Sequence, residues 1–219
     1  MKANESFWAK RFHMHGHTGW ADPVIYAYDQ QERLALIKAA IATLPIQGGN
    51  ALDFGCGTGD FSKLLLSMGF DVCGFDPFAN PHLQTGHFTF AKKLSEITLP
   101  DHSGNLAIAI TVLDHILDEG ELLAAMKNIQ SHLKSGAPLL MLEYALDSAT
   151  DRQTYGLKNA YQSFRTLAEW KSLLERSSFQ IEKITPMPHP VFCPSHGYRA
   201  YSNGNVVHPR SVSLELWRL

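Results

Sequence analysis

A glycine-rich stretch between two apolar segments is the part of this sequence best suited to chemistry. Leu52–Asp60 reads LDFGCGTGD, with glycines at every second position from 55 to 59. Glycine is needed where the backbone turns tightly or approaches a ligand closely. Asp76 follows 17 residues after Gly59, and an acid at that distance can accept hydrogen bonds from both ribose hydroxyls of a nucleoside. The stretch therefore indicates a nucleoside site.

The glycine spacing limits which nucleoside cofactor this site would take. A dinucleotide fingerprint has the pattern G-x-G-x-x-G, whereas this chain has G-x-G-x-G with Asp60 at the position of the third fingerprint glycine. An acid at the start of a helix repels phosphate. A cofactor with an adenosine but no phosphate fits better. S-adenosylmethionine is such a molecule, and its sulfonium cation tolerates nearby carboxylates.

Alternating strands and helices must position the glycine turn. Asp22-Pro23 reads as a helix start, and apolar residues at helical spacing follow it as far as Pro45. Strands are predicted at 50–54, 71–76 and 105–113 and in FTFAKKL and APLLMLEYAL. Helices are predicted after Asp60 and in EGELLAAMKNIQSHLKSG and TLAEWKSLLERSSF. This alternation favours a mostly parallel sheet. The closing segments QIEKITP and SVSLELWRL alternate in polarity, as at an antiparallel edge.

These elements resemble a known family of enzymes. LDFGCGTGDFSKLLLSMGFDVCGFDPF is similar to the first two motifs of the class I S-adenosylmethionine-dependent methyltransferases. ITVLDHILD resembles that family's segment after strand four, and LKSGAPLLMLE its helix-turn-strand five. The resemblance covers roughly residues 50–145. It implies an α/β, Rossmann-like three-layer sandwich whose seven-stranded, mostly parallel sheet has an antiparallel last strand.

The same resemblance implies a division of the chain and a set of cofactor contacts. Residues 1–219 would form a single methyltransferase domain, with an N-terminal helical lid (1–45), a cofactor-binding core (46–185), a substrate-side insert (186–210) and a closing strand (211–219). Asp76 would hold the ribose, with Pro77 or Phe78 beside the adenine. The methionine and ribose contacts would come from Asp53, Gly55, Cys56, Gly57 and Gly59, and strand four would add Thr111 and Val112. Where the family usually has an acid that meets the adenine amine, this chain reads AKKLSE, so Lys93, Leu94 and Ser95 are the candidates.

The segment from Glu5 to Pro23 carries three histidines, His13, His15 and His17, among aromatic residues. Alternate histidines share one side only on an extended chain, and an extended or turning path is expected around Gly16. Metal binding is one reading and a solvated or helix-capping role is another. Methyl transfer from a sulfonium needs no metal, and a pocket-lining role is favoured. FWAKRF followed by GHTGW also resembles the N-terminal segment of the thiopurine methyltransferase family, whose aromatics fold over the cofactor. That likeness implies a lid made of Trp8, Phe12 and Trp20.

The residues that would bind the methyl acceptor are less well defined by the sequence than the cofactor contacts. A nitrogen or oxygen acceptor benefits from a base, and histidine titrates in the right range, which makes His17 and His115 the candidates. His115 is equally suited to a structural role. The other substrate-side candidates are Tyr28, Glu143, Tyr144, His189, His196, Tyr198 and Arg199, the last four in a segment rich in proline, glycine and histidine. Long loops of this kind on a rigid scaffold often carry function.

Composition and charge limit the partners and the compartment. The net charge is -2 and no cluster of basic residues stands out, which argues against a nucleic acid partner. The three cysteines match no zinc spacing. Neither a signal-peptide core nor an apolar run of about 20 residues is visible, so a cytoplasmic protein without a membrane anchor is expected. The partner would be a small-molecule methyl acceptor, and the protein a monomer or a homodimer.

Two other functions compete with methyl transfer. A nicotinamide-dependent oxidoreductase could use a similar sheet, although the glycine spacing and Asp60 disfavour it. A histidine-rich metal-binding protein that retains a methyltransferase fold is the second.

Overall fold

The computed structural model describes residues 3–20, 22–79, 81, 83, 85–146, 162–187 and 212–218. Its central feature is a sheet of β-strands in the order β3-β2-β1-β4-β5-β8-β7, with a two-residue strand β6 paired to β5. The strands are β1 (Gly49–Phe54), β2 (Phe70–Phe75), β3 (Phe88–Ala91), β4 (Gly104–Ile110), β5 (Pro138–Leu146), β6 (Arg165–Thr166), β7 (Gln180–Met187) and β8 (Val212–Arg218).

The strand directions confirm the predicted fold class. β1 pairs in parallel with β2 and β4, β2 with β3, and β4 with β5. β8 lies between β5 and β7 and runs antiparallel to both of them. Residues 106–109 of β4 are fully buried, as expected for a parallel strand covered on both faces. The sheet is therefore the mostly parallel one that was predicted, with an antiparallel last strand.

Helices cover both faces of the sheet and complete three layers. They are α1 (Ala3–His15), α2 (Pro23–Ala42), α3 (Asp60–Ser67), α4 (Glu119–His132) and α5 (Leu167–Arg176). One apolar core joins α4 and α5 to one face, and a second joins α2 and α3 to the other. Adjacent strand residues divide between the cores: Ala51 belongs to one and Leu52 to the other, because side chains alternate along a strand.

Local signals set the helix ends. The Asp22 side chain accepts hydrogen bonds from the amides of Val24 and Ile25 at the start of α2. Thr166 and Glu169 form a reciprocal capping box at the start of α5. Both caps fall where the sequence predicts a helix to begin.

The histidine tract differs from its predicted extended path. α1 continues through His13 and His15 and ends at Gly16, whose φ is 73° and whose amide donates to the Phe12 carbonyl at 2.8 Å. Gly16 ends the helix only after His13 and His15, so both residues are helical. Helical geometry then directs their side chains to different sides of α1. Within the described part of the chain, no cluster of three or more His, Cys, Asp or Glu residues is placed to hold a metal ion. None of the helices in the described residues is long and apolar enough to cross a membrane.

The strand predicted at 105–113 ends early, at Ile110. Thr111 adopts a left-handed backbone with φ 49°, which is rare for a β-branched residue. The chain then enters a single 3-10 turn at Leu113–His115. The strand therefore gives way to a loop, residues 111–116, at the edge of the sheet where a ligand would bind.

Candidate active site

A cavity of about 540 Å³ lies at the carboxyl ends of β1, β2 and β4, the edge where open α/β sheets bind ligands. Of the predicted site residues that the structure describes, more than half meet in its wall. These are Trp8, His17, Gly55, Cys56, Gly57, Asp76, Pro77, Phe78, Leu94, Thr111, Val112 and His115. The structure therefore brings the glycine turn, the acid after β2, the loop after β4 and part of the N-terminal segment to one place.

The glycine turn has a backbone that only glycine adopts easily. Gly55 and Gly57 have φ of 82° and 51°. A Cβ added to Gly55 would lie 2.3 Å from a methyl carbon of Val112, whereas one added to Gly57 would meet no heavy atom within 4 Å. Gly55 is thus required for packing against the loop after β4. Gly57 leaves backbone open to a ligand.

Asp76 ties the glycine turn to the end of β2. Its Oδ2 accepts from the Gly57 amide at 3.1 Å, and its Oδ1 accepts from the amides of Phe78 and Ala79 at 2.8 and 2.9 Å. A carboxylate has about four acceptor positions. Asp76 can therefore hold this backbone and still accept a ribose hydroxyl.

Asp53 and Cys56 support the turn from behind. Asp53 is buried, and the Ser62 hydroxyl donates to it at 2.6 Å. Burial raises the pKa of Asp53 to about 7, because a buried carboxylate resists ionisation. Burial likewise raises the pKa of the Cys56 thiol. Cys56 is thus an apolar part of the wall, and Asp53 links β1 to α3.

Two buried acids hold the loop 111–116. Glu143, 1% exposed, accepts from the amides of Val112 and Leu113 at 3.0 and 2.7 Å. Burial raises its pKa well above the usual range, and the nearby Asp114 carboxylate raises it further. Asp114 is fully buried, accepts from the Gln162 side chain and lies 3.5 Å from His115 Nδ1. These contacts place His115 in the cavity wall.

The N-terminal segment closes the cavity through aromatic contacts. The Trp8 ring lies on His115, with centroids 4.1 Å apart. His17 stacks on Tyr26 at 3.6 Å with the ring planes 2° apart. Burial lowers the pKa of His17, and the neighbouring His15 and Arg11 side chains lower it further. The roof of the cavity is therefore formed by Trp8, His17 and Tyr26.

Several predicted residues lie away from the cavity wall. Phe12 does not line it, and Trp20 is 39% exposed with its indole nitrogen bonded to Asp29. Tyr28 is exposed on α2, and Lys93 pairs with Glu96. The rest of this group are Asp53, Gly59, Ser95, Glu143 and Tyr144, of which Glu143 acts through the loop as described. His189, His196, Tyr198 and Arg199 lie outside the described residues.

The sequence interpretation missed the contribution of α2. Tyr26, Gln30 and Arg33 line the cavity from this helix. Arg33 donates to the Thr111 hydroxyl at 2.8 Å and pairs with Asp29 at 2.8 Å. Positions 26, 30 and 33 share one helical face, so the sequence does contain this polar stripe. It lies beside the apolar stripe from which the helix was predicted. A polar stripe in that position is ordinarily exposed to solvent, which is why these residues were not predicted to line a site.

Solved structures with the same fold include several methyltransferases. An S-adenosylmethionine-dependent methyltransferase from Mesorhizobium loti is 22% identical, with a TM-score of 0.56 over 83% of this chain and 96% of that one. A Burkholderia thailandensis 1,6-didemethyltoxoflavin N1-methyltransferase, with its acceptor and S-adenosylhomocysteine bound, is 14% identical, with a TM-score of 0.65 over 100% and 90%. A Haloferax volcanii putative methyltransferase in complex with the Trm112 activator is 13% identical, with a TM-score of 0.64 over 100% and 98%.

The family assignment comes from the sequence itself. A family described as a methyltransferase domain matches residues 26–184, well over half of the chain. No curated protein shows significant similarity. The matched range contains the glycine turn, Asp76 and the loop after β4, which line much of the cavity. This chain therefore belongs to the methyltransferase domain family and is a class I S-adenosylmethionine-dependent methyltransferase.

Proposed function

We propose that this enzyme methylates a nitrogen, oxygen or sulfur atom of a small molecule. The observation that carries the proposal is the roof over the cavity. Trp8 of α1 lies on His115, and Arg33 of α2 is bonded to Thr111, so the N-terminal helices cover the strand ends. A cavity of about 540 Å³ under such a roof has the size of a small-molecule site, which supports a small acceptor.

The aromatic roof favours a planar acceptor. Trp8 and the stacked pair His17 and Tyr26 present flat surfaces to the cavity, and aromatic faces pack well on other planar groups. The didemethyltoxoflavin enzyme shows that this fold can hold a small molecule beside the cofactor product. That substrate belongs to that enzyme, and only the small size of the acceptor is carried over to this chain.

We propose His115 as the base in this reaction. The bound cofactor supplies a methyl group on a sulfonium sulfur, already activated towards a nucleophile. Asp114, 3.5 Å from Nδ1, favours the tautomer with a proton on that nitrogen. Nε2 then takes the proton from the acceptor. The roof excludes water and holds the acceptor in line, which supplies most of the rate.

His17 is assigned to the roof. Its lowered pKa keeps the imidazole neutral near pH 7, and a neutral ring stacks on Tyr26 without carrying charge into an apolar wall. Residues 1–45 as lid, 46–185 as core and 186–210 as acceptor-side insert remain part of this proposal. So does a monomeric or homodimeric state.

Two measurements test the function. Calorimetry with S-adenosylhomocysteine and, separately, NADH distinguishes a methyltransferase site from a nicotinamide site, and we expect only the first to bind. Incubation with methyl-labelled cofactor and fractionated metabolites should then label a compound that mass spectrometry identifies. Label found only on protein or nucleic acid would contradict the small-molecule proposal.

A further inference from the structure

Two carboxyl groups beneath the loop 111–116 are buried, and each has an oxygen that lacks a donor. Glu143 is 1% exposed and Asp114 is fully buried. Glu143 Oε2 and Asp114 Oδ1 are both enclosed in the protein and accept a hydrogen bond from no described residue. A buried acceptor without a donor costs free energy, and the cost is larger when the group is charged. Two such oxygens beside one loop therefore need a common explanation.

The two acids meet at the backbone of this loop. Glu143 Oε1 accepts from the amides of Val112 and Leu113, and the amide of Asp114 faces the same carboxyl group. Asp114 is also the charged residue that acts most strongly on Glu143. Asp114 Oδ2 is occupied, because it accepts from the Gln162 side chain. A proton on Glu143 Oε2 turns that oxygen into a donor, and Asp114 Oδ1 is an acceptor that lacks one.

The charges around the pair also favour one proton. Arg165 of β6 is 7% exposed, and Asp114 and Glu143 are the carboxylates that act most strongly on its charge. Its guanidinium donates to the Ile116 carbonyl at 3.0 Å, at the end of the same loop. Two carboxylates and one guanidinium leave a net negative charge in the interior, where an unbalanced charge is costly. One proton on the two acids removes that charge.

Other titratable groups near the pair do not supply this balance. Burial raises the pKa of Tyr144, next to Glu143 on β5, to about 12, so its phenol is neutral near pH 7. His115 Nδ1 lies 3.5 Å from Asp114 Oδ1, and a histidine that acts as a base is neutral before it reacts. Glu169 and Glu119 act on Arg165 more weakly, and they are bonded to Thr166 and Arg176 respectively.

We propose that Glu143 and Asp114 hold one proton between them, with Glu143 Oε2 donating to Asp114 Oδ1, and that Glu143 is a positioning residue for His115. The pair then keeps one negative charge, which faces His115 Nδ1. Glu143 holds the loop amides with one oxygen and orients Asp114 with the other, which differs from the predicted contact with the acceptor. The sharing of the proton is independent of any ligand, and only the role at His115 rests on the proposed function.

Unfolding by urea at a series of pH values counts the protons that the folded pair holds. Every protein in the comparison carries Asp53→Asn, because Asp53 has a pKa of about 7 in the folded state and would add its own pH dependence. Between about pH 6 and pH 9 the unfolded chain has both acids ionised, whereas the folded pair keeps one proton. This proton should lower the equilibrium constant for folding about tenfold for each unit of rising pH.

Three substitutions identify the groups that hold the proton. Glu143→Gln should remove this component of the slope, since its amide donates to Asp114 without binding a titratable proton. Asp114→Asn should remove the same component, because its amide donates to a Glu143 carboxylate that Arg165 balances. Glu175→Gln is the control on the exposed surface of α5 and should leave the slope unchanged.

Infrared spectroscopy detects the proton without altering the pair. A protonated carboxyl group absorbs at a higher frequency than a carboxylate. Folded protein carrying only Asp53→Asn should show this band at about pH 9, where exposed carboxyl groups are ionised. Adding Glu143→Gln should abolish the band. Absence of the band from the starting protein would overturn the inference even if the variants of the pair did not fold.

NMR titration of the His115 ring tests the positioning role. Glu143→Gln keeps one negative charge on the pair, so the titration midpoint of His115 should stay within about 0.3 pH unit of the starting protein. Asp114→Asn removes the carboxylate 3.5 Å from the ring and should lower the midpoint by about one pH unit or more. A fall of that size in Glu143→Gln would mean that both acids are ionised in the starting protein, which would overturn the inference.

The remaining outcomes separate this inference from the function. A slope that Glu143→Gln leaves unchanged would overturn it. A slope lost in Glu143→Gln but retained in Asp114→Asn would assign the proton to Glu143 alone and overturn the sharing. A protein that bound no S-adenosylhomocysteine would contradict the proposed function, whereas the unfolding slope and the infrared band of the ligand-free protein would still report on the pair.

Discussion

Asp114 and His115 form an acid–histidine pair inside the cavity wall, and the molecule contains a natural control for it. His132 Nδ1 lies 3.5 Å from Asp101 Oδ1, the same distance as in the Asp114 pair. Neither Asp101 nor His132 lines the cavity. The two pairs differ in their surroundings, so a difference between them reports on the reaction and not on ion pairing alone.

His115→Asn should lower kcat about 100-fold or more, the scale of general base catalysis. Asp114→Asn should lower kcat by a smaller factor, because the imidazole loses its orienting carboxylate. Steady-state rates with the acceptor found by labelling provide the measurement. Asp101→Asn is the control and should leave kcat unchanged. A KM effect without a kcat effect in both active-site variants would assign His115 to binding.

The buried Asp53 carboxyl makes the free energy of unfolding depend on pH, because burial raises its pKa. Its pKa is about 7 in the folded protein, above the ordinary value for an unfolded chain. The folded state therefore binds this proton more tightly than the unfolded state. Its contribution to stability is fully present below about pH 4 and is lost as the pH rises through about 7.

Asp53→Asn should remove this component of the pH dependence. The variant should match wild type near pH 4 and exceed it above pH 7, by up to about 4 kcal/mol for a shift of about three units. Asparagine can still accept from the Ser62 hydroxyl, so the packing is retained. Urea unfolding at a series of pH values measures the difference. A constant gap between the two proteins across that range would contradict the assignment.

At the scale of elements, the glycine turn and the loop 111–116 form one packed unit. Gly55 has no room for a side chain because Val112 occupies the space, whereas Gly57 faces open space. Both glycines have positive φ, so they make a matched pair that separates crowding from backbone strain.

Gly55→Ala should destabilise the protein by about 2–4 kcal/mol, since it adds a steric overlap to the strain. Gly57→Ala should cost about 1–2 kcal/mol from strain alone and leave the fold intact. Thermal or urea unfolding checks both values. Similar losses of stability in the two variants would show that crowding against Val112 does not add to the cost of a side chain at position 55.

The sequence predicts these elements well where a local signal decides them. Asp22 and Thr166 are caps that bond their own helices, and the alternating glycines mark the turn after β1. The failures come from tertiary contacts. Nothing in the local sequence indicates that Asp29 is buried by Trp20 and Arg33. The histidine tract was expected to be extended, but α1 continues through His15 and the chain turns only at Gly16. The mostly parallel sheet with its antiparallel last strand followed from the resemblance, but the partners of Arg33 depend on how α2 lies across β4.

At the scale of the whole molecule, one cavity joins the N-terminal helices to the sheet. Trp8 of the roof contacts His115, and Arg33 of α2 contacts Thr111, both in the loop after β4. A ligand that fills this cavity therefore stabilises the roof and the core together. Ligand binding to the folded state alone raises the free energy of unfolding in proportion to the logarithm of its concentration.

S-adenosylhomocysteine at 100 times its Kd should stabilise the protein by about 2.7 kcal/mol. For a chain of 219 residues this corresponds to a rise in Tm of about 5–10 °C. Differential scanning calorimetry records the shift, and NADH at the same concentration is the control that should produce none. A shift restricted to NADH would contradict the family's cofactor for this cavity.

The contact between Trp8 and His115 has an optical consequence. A protonated imidazole quenches the emission of an indole ring beside it, whereas a neutral imidazole quenches it much less. With the ring centroids 4.1 Å apart, the fluorescence of Trp8 depends on which form His115 adopts. The chain thus contains an intrinsic chromophore beside the histidine that is proposed as the base.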